Sequence, residues 1–151
     1  MSERQVSIAV DAIGGEQSPF KTLKGSEIFL ENNTSTKLIF FGNKEIIKDS
    51  ITKNKIQLSN YEIVNSSDDV TDNDTPSIIL RNRKQSSIYK GLEFVKSNPY
   101  SGFVSAGNTA ALMILSRLLI GMIEGIDRPA ICSVIPDSVV NRGIKVQRLS
   151  L

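Results

Sequence analysis

Short apolar runs alternate with longer amphipathic stretches along most of the chain. "VSIAVDA" (residues 6–12) alternates β-branched and small apolar residues, the period of a strand, and runs through Asp11. "IGGEQSP" then breaks the pattern, with Gly14-Gly15 and Pro19 as turn formers. Residues 21–32 carry helical spacing, with Phe20, Leu23 and Leu30 roughly on one face. "KLIFFG" (37–42) predicts a second strand, 43–54 a polar helix carrying Ile46, Ile47 and Ile51, and "YEIVN" (61–65) a third strand. The polar, acidic stretch "SSDDVTDNDTP" (66–76) reads as a loop. From 77 to 98 the pattern is helical with a break near Gln85-Ser86-Ser87, and its second half places Ile88, Leu92 and Val95 on one face. "GFVSA" (102–106) predicts a fourth strand, 108–120 an almost wholly apolar helix, and "PAICSVIP" (129–136) a fifth strand.

Regular alternation of strand and helix predicts an α/β fold, layered, with a mostly parallel sheet and helices on both faces. Residues 1–136 carry this pattern. Residues 137–151, "DSVVNRGIKVQRLSL" after Pro136, have weak periodicity and bring no helix to cover the fifth strand, so the fold reads as interrupted there. The helix over 108–120 is apolar nearly all round, which predicts burial in a core or a subunit contact.

Composition removes several function classes. With 151 residues the chain is long enough for a core, and 40% hydrophobic and 23% charged residues are ordinary for a globular protein. A net charge of +2 gives no basic field for nucleic acid. No secretory signal opens the chain, and the longest apolar stretch, 110–123, is too short to span a bilayer. One cysteine, Cys132, forms no internal disulfide and reads as a small core residue in a reducing, cytoplasmic protein. There is no histidine, so a Ser-His-Asp triad, a Cys-His pair and a His-ligated metal are all excluded within this chain.

Two loops have ligand-binding chemistry, because in open α/β sheets ligands bind where strand ends lead into helix starts. In the first, Gly14 and Gly15 allow close backbone approach between the carboxylates of Asp11 and Glu16. In the second, Ser105 to Thr109, Gly107 frees the backbone while Asn108 and Thr109 stand at a helix start with unpaired amides, a setting for phosphate. Taken singly, Gly-Gly is a turn and Asn108 an N-cap, and neither loop matches the dinucleotide or P-loop spacing. Arg81, Arg83 and Lys84 form a basic cluster on a predicted helix, either a solvated face or a surface for phosphate or an acidic partner. The acidic residues 68–74 lack the spacing of a calcium loop.

Together "IAVDAIGGEQSP", "DTPSIILRNRKQSSI", "FVSAGNTAALM" and "GIDRPAI", in that order, resemble the motifs of the bacterial acyl carrier protein:phosphate acyltransferases. The resemblance implies transfer of a fatty acyl group from acyl carrier protein to inorganic phosphate, giving acyl phosphate for phospholipid synthesis. It implies a fold like that of phosphate acetyltransferase and isocitrate dehydrogenase, here incomplete, and no cofactor. It also implies a cytoplasmic homodimer with peripheral membrane association. Phosphate would meet Gly14, Gly15, Ser105, Gly107, Asn108 and Thr109, with Asn108 and Asp11 the catalytic candidates. Carrier protein is acidic, which makes Arg81, Arg83 and Lys84 a surface for carrier-protein docking or for phosphate. Three departures stand out: Glu16 replaces the usual Asp, Ala110 the usual Gly, and, the largest, residues 137–151 do not resemble the family's continuation after the fifth strand. The alternatives are a truncated, non-catalytic remnant of such an enzyme and a phosphate-binding module.

Overall fold

Both faces of the central strand are apolar, and this decides where every later element goes. A computed structural model describes residues 5–67, 74, 78, 79, 81, 83–135 and 145–149. The order is β1 (Ser7–Asp11), α1 (Phe20–Asn32), β2 (Lys37–Gly42), α2 (Lys44–Lys53), β3 (Tyr61–Asn65), α3 (Ser87–Ser97), β4 (Ser101–Val104), α4 (Thr109–Leu119), β5 (Ile131–Ile135) and β6 (Lys145–Leu149). The chain divides into two compact units, Met1–Ile120 and Gly121–Leu151.

In the first unit four strands form a sheet in the order β3-β2-β1-β4, every pairing parallel. Alternate residues face opposite sides, as the pleat requires. Val10, Leu38 and Phe40 join Leu23 and Leu30 of α1 and Ile47 of α2 in one core cluster. Ala9, Ile39 and Phe41 join Phe94 and Val95 of α3 on the other face. The expected layered sheet with helices on both faces is therefore present. Chain order makes the geometry functional. The path runs outward from β1 to β3, then α3 crosses behind the sheet and β4 lands on the other side of β1. The strand order thus reverses between β1 and β4, and the carboxyl ends of these strands flank the crevice where such folds bind ligands.

Helix starts follow the predicted chemistry. Asn43 caps α2 by accepting from the Glu45 and Ile46 amides, Ser86 caps α3 through Tyr89 N–H, and Asn108 caps α4 through Ala111 N–H. The break near Gln85-Ser86-Ser87 is thus the start of α3.

The last two predicted elements differ in how they are covered. Within its unit α4 buries one face: Ala111 and Leu115 are fully buried against Ile79, Ile88 and Leu92, while Leu118 is 58% exposed. Among the described residues α3, Ile79 and Phe103 cover one face of it, and the other face keeps the apolar surface that a subunit contact would need. The fifth strand forms, but it pairs antiparallel with β6, Ile131 opposite Leu149 and Ile135 opposite Lys145, in a sheet of two strands. β6 lies inside the stretch read as having weak periodicity. Its apolar residues, Val146 and Leu149, are three apart, so pairing rather than pattern marks it as a strand. Cys132 lies on β5; its side chain and residues 68–73 fall outside the described part of the structure.

Candidate anion site at the β1–β4 crevice

Asp11 ends β1 and is 2% exposed. Its Oδ1 accepts from Ile13 N–H (3.3 Å) and Gly14 N–H (3.0 Å), folding the loop back over the strand end. Its Oδ2 accepts from the Ser105 hydroxyl at 2.7 Å, and Ser105 Oγ in turn accepts from Gly107 N–H at 3.0 Å. One carboxylate therefore joins the loop after β1 to the loop after β4. Both carboxylate oxygens receive hydrogen bonds, three in all, which makes burial of the charge tolerable.

The glycines let the loops touch. A Cβ on Gly14 would overlap Asp11 Oδ2 and stand 2.8 Å from the Gly107 nitrogen. A Cβ on Gly107 would lie 3.1 Å from Asp11 Oδ2 and 3.3 Å from Gly14 Cα. Gly15 sits at φ 88°, where side chains are strained, with the Ala106 carbonyl oxygen 2.9 Å from where a Cβ would stand. Ser18 Oγ donates to the Gly14 carbonyl at 2.6 Å and lies 2.9 Å from that of Gly15, fixing the turn from below.

Between the loops lies a cavity of about 130 Å³. Asp11, Ile13 and Gly14 line it from one loop, Gly107 and Asn108 from the other, and Ser87 and Ile88 from the first turn of α3. Two helix N-termini thus meet at one small space, each contributing positive partial charge. The Ser87, Ile88, Thr109 and Ala110 amides, the first two of each helix, have no acceptor among the described residues. The Ser87 hydroxyl, 4% exposed as a residue, also has no partner among them. Among the described residues no basic side chain lines the cavity, which leaves the helix-start amides as its source of positive potential. A second, largely apolar groove of about 330 Å³ runs between α1 and β4, bounded by Phe29, Val10 and Val104, and shares Asp11 with the first.

Of the residues singled out from sequence, Asp11, Gly14, Gly107 and Asn108 line the polar cavity. Gly15 and Ser105 stand behind it and shape it, and Thr109 is exposed at the helix start. Ser87 and Ile88 were not singled out as site residues; Ser86-Ser87 before an amphipathic helix was the available signal. Of the basic cluster, Arg81 and Lys84 are exposed, whereas Arg83 clasps Asp74 with two hydrogen bonds, 2.8 and 3.2 Å. That pair ties the end of the acidic stretch to the segment before α3. Among the described residues no group of three or more His, Cys, Asp or Glu side chains is placed to hold a metal ion, and no helix is long and apolar enough to cross a membrane.

Comparison with known proteins yields a consistent set. Residues 6–146 match the family described as fatty acid synthesis protein. The phosphate acyltransferase of Caldicellulosiruptor saccharolyticus is 37% identical over 131 residues, covering 87% of this chain and 39% of that protein. The phosphate acyltransferase of Wolbachia pipientis subsp. Culex pipiens is 40% identical over 135 residues, again 87% of this chain and 39% of the relative. That of Carboxydothermus hydrogenoformans is 39% identical over 129 residues, 85% and 38% of the two chains. This chain spans about two fifths of the length of these relatives.

Proposed function

The chain belongs to the fatty acid synthesis protein family, and from that premise we propose that it carries the phosphate-binding crevice of an acyltransferase that moves a fatty acyl group from acyl carrier protein to inorganic phosphate. The carrying observation is the cavity at the β1–β4 crevice, closed by Asp11, Gly14, Gly107 and Asn108 under the N-termini of α3 and α4. Its size and its amides suit one tetrahedral oxyanion. Phosphate is itself the nucleophile, so the protein needs to hold and aim it and to stabilise the oxyanion that forms on the thioester. That chemistry needs no histidine and no cofactor. A phosphate oxygen attacks the thioester carbonyl, the carbon–sulfur bond breaks, and the phosphate proton passes to the departing thiol. The neighbouring apolar groove suits the hydrocarbon end of the same substrate.

Carrier protein is the acyl donor in this reading, with the exposed Arg81 and Lys84 as its docking cations. A homodimer and peripheral membrane association in the cytoplasm belong to the same proposal, and the exposed Leu118 offers apolar surface for a subunit contact. The test is incubation of the chain with acyl carrier protein thioester and phosphate, read by ³¹P NMR. A new acyl phosphate resonance is the expected result. Phosphate binding without product would make the chain a binding module, and absence of both would overturn the proposal.

A further inference from the structure

We propose that Asp11 makes this cavity selective for oxyanions that carry a proton, so that hydrogen phosphate enters and sulfate is refused. The inference rests on the phosphate reading of the site and concerns what that reading leaves open, the choice among tetrahedral anions of similar size. A negative carboxylate is an unexpected wall for an anion site. At 2% exposure it cannot turn out to solvent.

Its acceptor positions can be accounted for one by one. A carboxylate offers about four lone-pair sites. Ile13 N–H and Gly14 N–H occupy two on Oδ1, and the Ser105 hydroxyl occupies one on Oδ2. The fourth, on Oδ2, has no donor among the described residues. Oδ2 is also the oxygen that lies between Gly14 and Gly107, both of which line the cavity. The remaining acceptor therefore belongs to the oxygen that both of these cavity-lining glycines approach.

At neutral pH inorganic phosphate retains at least one P–OH, which donates to Oδ2 as a charge-assisted hydrogen bond. Its unprotonated oxygens take the Ser87 and Ile88 amides and the Ser87 hydroxyl. Sulfate has the same shape and no proton. Its oxygen would face a buried carboxylate oxygen directly, two negative atoms with no hydrogen between them, in a place where solvent screens little. The helix starts attract both ions, and Asp11 separates them.

The experiment is equilibrium binding to the whole chain by calorimetry at pH 7, using phosphate, arsenate, sulfate and monofluorophosphate. The last is phosphate with its hydroxyl replaced by fluorine. Phosphate and arsenate should bind alike, with sulfate and monofluorophosphate weaker by on the order of tenfold or more, the value of one charge-assisted hydrogen bond. Asp11→Asn, whose side-chain amide can donate as well as accept, should bring sulfate to within about threefold of phosphate. The four-ligand comparison on the unaltered chain decides the matter even where the variant does not fold. Equal binding of all four would overturn the selectivity and leave the phosphate site standing. Binding of none would overturn the site and the selectivity together.

Discussion

Asn108 holds two positions at once: its Oδ1 accepts Ala111 N–H at 2.8 Å, and the residue lines the cavity at the β1–β4 crevice. The two roles separate by substitution. Asn108→Ala removes the cap and should lower stability by about 1 kcal/mol. Asn108→Asp retains a capping oxygen and suits the positive helix end, so stability should stay within roughly 0.5 kcal/mol of the parent. The same change puts a full negative charge on the cavity wall. Like charges 4 Å apart repel by about 4 kcal/mol at an effective dielectric constant of 20, so phosphate affinity should fall by more than about tenfold. Thermal melts and calorimetry read the two effects, and unchanged affinity in Asn108→Asp would remove Asn108 from the site. Asp11, Gly14, Gly107 and Asn108 were legible in the sequence because glycines and short polar residues at strand ends leave a local signature. Ser87 and Ile88 were not. They reach the cavity only because α3 crosses behind the sheet and β4 returns beside β1, and no local pattern records strand order.

Helices in this fold are set as much by what they lack as by their apolar stripes. Gly91 of α3 faces the Phe103 ring of β4 so closely that an added Cβ would overlap it, 2.7 Å from Cδ2. Gly25 of α1 has nothing within 4 Å of the same position. Alanine favours a helix interior over glycine by roughly 0.5–1 kcal/mol, and overpacking costs about 1–3 kcal/mol. Gly25→Ala should therefore stabilise the chain by about 0.5–1 kcal/mol. Gly91→Ala should destabilise it by about 1 kcal/mol, and Phe103→Leu in the same chain should recover part of that loss. Urea midpoints for the three variants check this, and stabilisation by Gly91→Ala would show that the ring moves freely. Strands β1 and β2 were legible almost to the residue because buried parallel strands are continuous apolar runs, and the more exposed β3 because Tyr61, Ile63 and Val64 favour a strand. The pairing of β5 with β6 was not, since a two-stranded ladder needs backbone complementarity and little apolar periodicity.

Across the whole first unit, charge binds segments far apart in the chain. Glu27 of α1, buried, accepts from Gln57 N–H at 2.7 Å just before β3 and also pairs with Lys24. The Lys24 hydrogen bond, then the Gln57 amide, hold its carboxyl below the ordinary value, against the opposing effect of burial. A carboxyl lowered on folding adds stability above its unfolded pKa of about 4.3, and that stability is lost as pH falls through the folded value. Glu27→Gln should thus melt at a lower temperature than the parent at pH 7, and the gap should shrink toward pH 3. A gap that stays constant with pH would show that the contact is steric rather than ionic. The Asp11–Ser105 bond spans 94 residues in the same way and carries a different consequence, one of timing. As the chain leaves the ribosome, β1, β2 and β3 emerge and can pair long before Ser105 exists. Until then the crevice has one wall and holds nothing. On the proposed function, then, phosphate would not template the early steps; it would stabilise only the finished sheet, and its capture would mark the moment β4 has docked.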